Sequence, residues 1–315
     1  VLLSCPFVGE RWITAKVTFT LLAGVFTKIS KGYDIANQTA YLDSMLRWGL
    51  DYLIKVRTVP KELLAGINHP FCRHILLQIL CMFLLATVSL PCVVSELNLT
   101  FCLANADDDY WGGDLGIPQP RPSYQINGTN PGTDAAAGAS AAFSACSALY
   151  SQRSFGGKYS SPASLANSSY AATLLTHAQQ LYSFAVNAPG GQKTYQTSAP
   201  AVAKSYKSNS YHDELTMAAL FLAWATNSTS LYQQAEGYYS KFGLAGGDDV
   251  FNWDSKTPGL AILFAQITQS PAGIGGNFAN WQKEVERYFD TIINQKGRGK
   301  LTKGGWASQQ SSALY

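Results

Sequence analysis

What most constrains this chain is a succession of helical stretches, each closed by a Gly, Pro, Asn or Ser cluster, with strand signals nearly absent. Over residues 32–56 one face carries Leu42, Met45, Leu46, Gly49 and Leu53 at helical spacing, the other carries Asp43, Arg47 and Lys55, and Asn37 stands as the expected N-cap. Residues 134–150 are built from Ala, Gly and Ser with Phe143 and Leu149, small side chains that let neighbouring helices approach closely, so this helix belongs inside a helical packing. Further helices are predicted over 170–186, 210–225, 229–242, 258–268 and 277–293. The expected fold class is all-α. Consecutive antiparallel pairs suggest part of an α/α toroid, although a bundle or a solenoid gives the same pattern.

Function must then come from the loops, several of which set aromatics beside acids: 107–124, 208–214 and 248–254. Such loops at one end of a helical scaffold make a cleft. Composition narrows what enters it. Charged residues are 14% of 315, against about 25% in an ordinary soluble domain. The net charge of +3 includes no basic block of the kind that neutralises phosphates, so nucleic acid is excluded as the expected partner. The partner is expected to be uncharged or small.

Five Asn-x-Ser/Thr triplets, at Asn37, Asn98, Asn127, Asn167 and Asn227, favour a secreted, N-glycosylated protein. The six cysteines form no Cys-x-x-Cys pair and no readable disulfide framework. Position 1 is Val, no signal peptide opens the sequence, and the N-terminus is taken as a processed or broken edge.

Residues 75–94, from Ile75 to Val94, contradict the rest: 20 residues without a charge. Three readings stand: a buried core helix, a membrane span, and a segment foreign to the fold such as translated intron sequence. The third carries the most weight, because a single span would cut one helical core in two and put Asn37 and Asn127 on opposite sides of a bilayer.

Read in order, the polar and aromatic clusters are Lys31-Gly32-Tyr33-Asp34, the run Leu46 to Lys55, Tyr110-Trp111-Gly112-Gly113-Asp114, Asn130-Pro131-Gly132-Thr133-Asp134, Tyr211-His212-Asp213-Glu214-Leu215, and Phe251-Asn252-Trp253-Asp254-Ser255-Lys256. This series resembles family 9 glycoside hydrolases, inverting cellulases of the (α/α)6 toroid fold. The resemblance covers 32–68 and 107–305 and fails over 71–102. It implies one domain over 1–315, with 71–102 anomalous, acting on internal β-1,4-glucan linkages as a secreted endoglucanase.

Inversion needs two carboxyl groups roughly 6.5 to 9.5 Å apart, one deprotonating the attacking water and one protonating the leaving oxygen. The family takes its base from an Asp-Ala-Gly-Asp motif that should precede Lys16 to Leu21, and this chain has no such motif. Glu10, in Gly9-Glu10-Arg11-Trp12, is a weak substitute, its longer side chain shifting the carboxylate by about one C–C bond. The family's acid Glu is expected beyond Tyr315, so this chain is expected to be inactive by itself. Packing is expected to suffer too, with the apolar faces near Leu42 and Phe143 partly open to water, at about 25 cal/mol per Å2 left uncovered.

What the resemblance retains is the substrate platform. Glucan rings present flat C–H faces that stack on aromatic planes, while their hydroxyls reach carboxylates and amides. Trp111, Tyr211 and Trp253 match aromatic positions of the family's cleft, with Asp114, with His212 and Asp213, and with Asp254 beside them. No cofactor is expected. Calcium at Asp107-Asp108-Asp109 is the weaker reading against a solvated loop. The expected partner is β-1,4-glucan, acted on by a monomer. The alternatives are a non-catalytic glucan-binding protein and a form anchored in a membrane through Ile75 to Val94. His177 reads as a surface or packing residue, Glu214 as a first-turn acid, and Asp248-Asp249 as either a turn or a ligand contact.

Overall fold

The computed structural model describes residues 32–58, 99–102, 123–153, 161–202, 207–249, 251, 254–296, 299–301 and 307–309. In chain order the elements are α1 (Thr39–Thr58), β1 (Leu99–Cys102), β2 (Ser123–Ile126), α2 (Thr133–Tyr150), α3 (Ser168–Asn187), the short α4 (Tyr195–Ser198), α5 (His212–Thr226), α6 (Thr229–Lys241), α7 (Thr257–Thr268), α8 (Phe278–Ile293), β3 (Gly299–Leu301) and β4 (Ala307–Gln309). The helices predicted from 134 onward begin and end within two residues of their expected limits.

The first helix differs. Residues 32–35 form a turn of their own. The amides of Ala36, Asn37 and Gln38 return to the carbonyls of Gly32, Asp34 and Tyr33, and Asn37 sits in the left-handed region at φ 52. Asn37 therefore ends that turn and does not cap α1, a use of Asn's tolerance for this backbone region that spacing alone does not reveal. The expected apolar face is present: Leu42, Leu46, Leu50 and Leu53 are buried.

Helices α2 and α3 run antiparallel. Ser140 Oγ donates to the Ala178 carbonyl at 2.7 Å and Ser147 Oγ to that of Ala171 at 2.8 Å, so partner numbers fall along α3 as they rise along α2. The same reversal joins α6 to α7, where Tyr232 Oη meets Thr268 Oγ1 at 2.9 Å and the Tyr239 ring stands edge-on to Phe264. Between α5 and α6 the chain turns on two residues. Asn227 closes α5 in the left-handed region, and the Ser228 hydroxyl caps α6 by accepting from the Leu231 amide at 3.3 Å.

The core lies between α2 and α5. Helix α5 is buried from Asp213 through Ala225, and it packs against α2, α6, α3 and α7. Gly132, just before α2, lets the chain pass close to its neighbours: a Cβ there would stand 2.8 Å from Ile126 Cδ1 and 3.0 Å from Tyr195 Cβ. Leu42 and Phe143 are each 1% exposed, which overturns the expectation of open apolar faces there; other helices of the chain already cover them. Among the described residues the exposed large apolar ones are Ile35, Tyr41, Trp48, Phe289 and Ile293.

Two short antiparallel ladders accompany the helices, β1 with β2 and β3 with β4. At four and three residues per strand they are too short to show an alternation, which is why the sequence carries almost no strand signal. The last four residues of the anomalous 71–102 segment are strand β1, paired with Ser123–Ile126, and 71–98 lie outside the described residues. No helix among the described residues is long and apolar enough to cross a membrane.

Candidate functional site

Charged residues at the head of an inner helix need partners within the protein, and α5 opens on Asp213 and Glu214, both buried. Lys256, one residue before α7, supplies both. Its Nζ donates to Glu214 Oε1 at 2.9 Å with the two side chains 3% and 1% exposed, and its backbone amide donates to Asp213 Oδ2 at 2.5 Å. Glu214 stands in the first turn of α5, as expected, and both acids converge on Lys256, because the 254–256 segment lies across the start of α5.

A second bond set joins the same two segments. Asp254 accepts from the Asn209 backbone amide at 2.6 Å and from the Asn209 side-chain amide. On the other side of the 207–212 segment, the buried Gln196 side chain of α4 donates to the Ser208 carbonyl. Residues 208–210 are thus held between α4 and 254–256, while the predicted loop 208–214 gives way to helix at His212.

Beneath them lies Asp134 in the first turn of α2, fully buried. Its Oδ1 accepts from the Tyr195 amide at 2.8 Å. Its Oδ2, Glu214 Oε2, Gln196 Oε1 and Ser208 Oγ make no protein hydrogen bond. Desolvation pushes Asp134 up to about 7, against backbone hydrogen bonds and the Ser208 hydroxyl, which draws it down without reaching hydrogen-bonding geometry with Oδ2. A protonated Asp134 carries a hydrogen into a group otherwise rich in acceptors. Glu214 is raised as well, first by burial and then by Asp213, with the Lys256 ammonium opposing.

Tyr211 immediately precedes α5 and is half-buried. Its ring meets His212 edge-on at 4.9 Å and Phe242 at 6.3 Å, and the His212 imidazole lies flat on Phe242 at 4.0 Å. Burial holds His212 below its ordinary pKa, so the ring stacks as a neutral aromatic. Of the residues expected to contact sugar, Tyr211 and Asp254 are therefore on joined segments. Asp213 is only 3% exposed and bonded to Lys256, which makes it a buried anchor of the loop. Glu10, Trp111, Asp114 and Trp253 lie outside the described residues, as do Asp107-Asp108-Asp109.

Asp134 and Lys256 lie within the sequence motifs without an expected role, and Gln196 and Asn209 lie outside them. The usable signal is the apolar run from Leu215 to Ala225, broken only by Thr216. A helix with no polar face is an inner helix, and the acids of its first turn are buried with it. Elsewhere, His177 packs against Phe143 at 5.6 Å, as expected of a packing residue. The 246–249 loop is tied to α8: Arg287 donates to the Gly247 carbonyl at 2.8 Å and Tyr288 to that of Asp249 at 3.0 Å.

The model of glycosyl hydrolase family 9 matches residues 12–315. Endoglucanase 10 of Arabidopsis thaliana is 27% identical over 301 residues, 94% of this chain and 48% of that protein. Among solved structures, an endoglucanase of the termite Nasutitermes takasagoensis aligns with a TM-score of 0.54 at 27% identity, over 84% of this chain and 53% of that one. The catalytic domain of CelT from Clostridium thermocellum, at 18% identity, shares the fold with a TM-score of 0.60 over 93% and 52% of the two chains. The chain thus spans about half the length of these relatives. Its all-α succession of paired helices is that of the (α/α)6 toroid, and with the model matched over nearly all its length this chain belongs to glycosyl hydrolase family 9.

Proposed function

We propose that this chain is part of a secreted endo-1,4-β-glucanase that cleaves internal linkages of cellulose or a related glucan by inversion, and that its own share of the work is to bind the glucan. The observation that carries this reading is the joining of the segment bearing Tyr211 to the segment bearing Asp254, in a chain of family 9. A half-buried tyrosine beside hydrogen-bonding amides and carboxylates suits a sugar ring, whose flat face stacks while its rim of hydroxyls is bonded. Trp111, Trp253 and Asp114 complete the platform in this reading. Endoglucanase relatives, plant and bacterial, support β-1,4-glucan as the substrate class.

The acid and base are another matter. The buried acids of the site, Asp134, Asp213 and Glu214, have structural partners or no access to a substrate, and the 315 residues contain no Asp-Ala-Gly-Asp motif. Glu10 alone stands near the expected place of the base. The purified chain is therefore expected to release no reducing sugar from carboxymethyl cellulose, general acid and base each being worth about 10²- to 10⁴-fold. Measurable release would refute this.

The same absence of the motif favours a second reading, a non-catalytic glucan-binding protein. Retention on cellulose without product, by a transcript that encodes the chain unchanged, would select it. Secretion with N-glycosylation is supported by Asn37 and Asn227, both exposed. Mass spectrometry of the chain made in a eukaryotic secretory host tests it, loss of hexose-bearing mass on Asn227→Gln being the expected result.

A further inference from the structure

Four hydrogen bonds at the head of α5 share one property: each joins the 207–214 region to the 254–256 region across more than forty residues of sequence. Two go through Lys256. Its amide reaches Asp213 at 2.5 Å and its ammonium reaches Glu214 at 2.9 Å, in surroundings from which water is almost wholly excluded. A buried Lys–Glu pair is a poor device for stability, since apolar side chains of similar volume serve as well or better. What the pair supplies is direction. An ammonium with a carboxylate at bonding distance fixes one register between two segments, where a greasy contact would let them slide.

The flanking residues give that register a use. Tyr211 lies two residues before Asp213, and Asp254 lies two residues before Lys256. Asp254 in turn holds the backbone amide of Asn209 at 2.6 Å. A shift of the Lys256 segment along α5 therefore moves Asp254 relative to Tyr211, the two described members of the sugar platform. We infer that Lys256, acting through Glu214 and Asp213, is a positioning residue of the glucan-binding site, locking the segment of Tyr211 to the segment of Asp254. This rests on the glucan-binding reading above and assigns Lys256 no contact with sugar.

The test uses the full 315-residue chain and two variants, Lys256→Met and the double variant Lys256→Met with Glu214→Leu. Three readouts are taken: the urea midpoint, affinity for cellohexaose by calorimetry, and hydrogen exchange of the Asn209 amide relative to that of Leu220 in the middle of α5. The single variant strands a buried carboxylate and falls in midpoint. The double variant removes the stranded charge and recovers the midpoint. The inference expects it nevertheless to bind cellohexaose about tenfold more weakly and to exchange Asn209 about tenfold faster relative to Leu220. Recovery of affinity and relative exchange together with the midpoint would overturn the inference, leaving the pair a matter of stability alone. If the wild-type chain binds no cellohexaose, the glucan reading fails, and the exchange ratio still decides whether Lys256 locks the two segments, an unchanged ratio overturning it.

Discussion

Helices α5 and α8 come from the same chain and obey opposite rules. Helix α5 is buried all round from Asp213 to Ala225 and nearly all apolar beyond its first turn, whereas α8 has no fully buried residue. On α8 the half-buried Trp281, Val285, Tyr288 and Ile292 fall on one side, and the exposed Lys283, Glu286 and Asp290 on the other. Trp281 stacks on Phe264 of α7 at 3.9 Å, which seats the helix on the outside of the packing. The charges of the two helices differ accordingly. Arg287 and Glu284 pair at 2.8 Å with side chains 35% and 20% exposed, where water shares the work, while the acids of α5 have only the protein. An inner helix thus binds its charges to partners away from water, while an outer one pairs its own, as Arg287 does with Glu284 and the Gly247 carbonyl, where water competes.

The sharpest way to break that contrast is to remove the partner of an inner charge. Lys256→Met should lower stability by about 3–5 kcal/mol in urea denaturation, because Glu214 is left buried without its cation. A loss of under about 1 kcal/mol would mean that water reaches the head of α5 after all.

Next is the pH dependence of stability. The pKa of Asp134 is raised from its ordinary range to about 7 on folding, so its contribution is fully present below about pH 4 and is lost as pH rises through about 7. Glu214, also raised, acts in the same direction. Asp134→Asn should flatten the decline between about pH 4 and 7, by an amount on the order of a few kcal/mol. An unchanged profile would show that Asp134 is not the group responsible.

On the outer helix the effects should be small. Arg287→Met removes the pair with Glu284 and the bond to the Gly247 carbonyl, and should cost no more than about 1 kcal/mol, screened further by salt. Smallest of all, Phe289→Ser and Ile293→Ser, at side chains 44% and 64% exposed, should leave the midpoint within about 0.5 kcal/mol. A large loss at either position would mean that α8 has a covered apolar face.

The same contrast explains what the sequence disclosed. Helix ends and the burial of the apolar stripe of α1 depend on neighbours three or four residues away, so they were legible to within two residues for α2, α3 and α5 through α8. Asn37 was misassigned because its sequence suits a helix cap and the end of a turn equally, and only the backbone φ of 52 separates them. The site was half legible. Tyr211 and Asp254 could be named from motifs, but Lys256 meets Glu214 across 42 residues, a distance over which periodicity carries no signal. Asp134 is hidden for the same reason: its partner, the Tyr195 amide, lies 61 residues along the chain.

Retention on insoluble cellulose, comparing the 315-residue chain with Tyr211→Ala, tests whether this chain binds glucan through Tyr211. The chain should be retained, Tyr211→Ala should be retained markedly less while unfolding at the same urea concentration, and no reducing sugar should appear. A wild-type chain that passes through the cellulose unretained would contradict it, and so would a Tyr211→Ala chain held as firmly as the wild type.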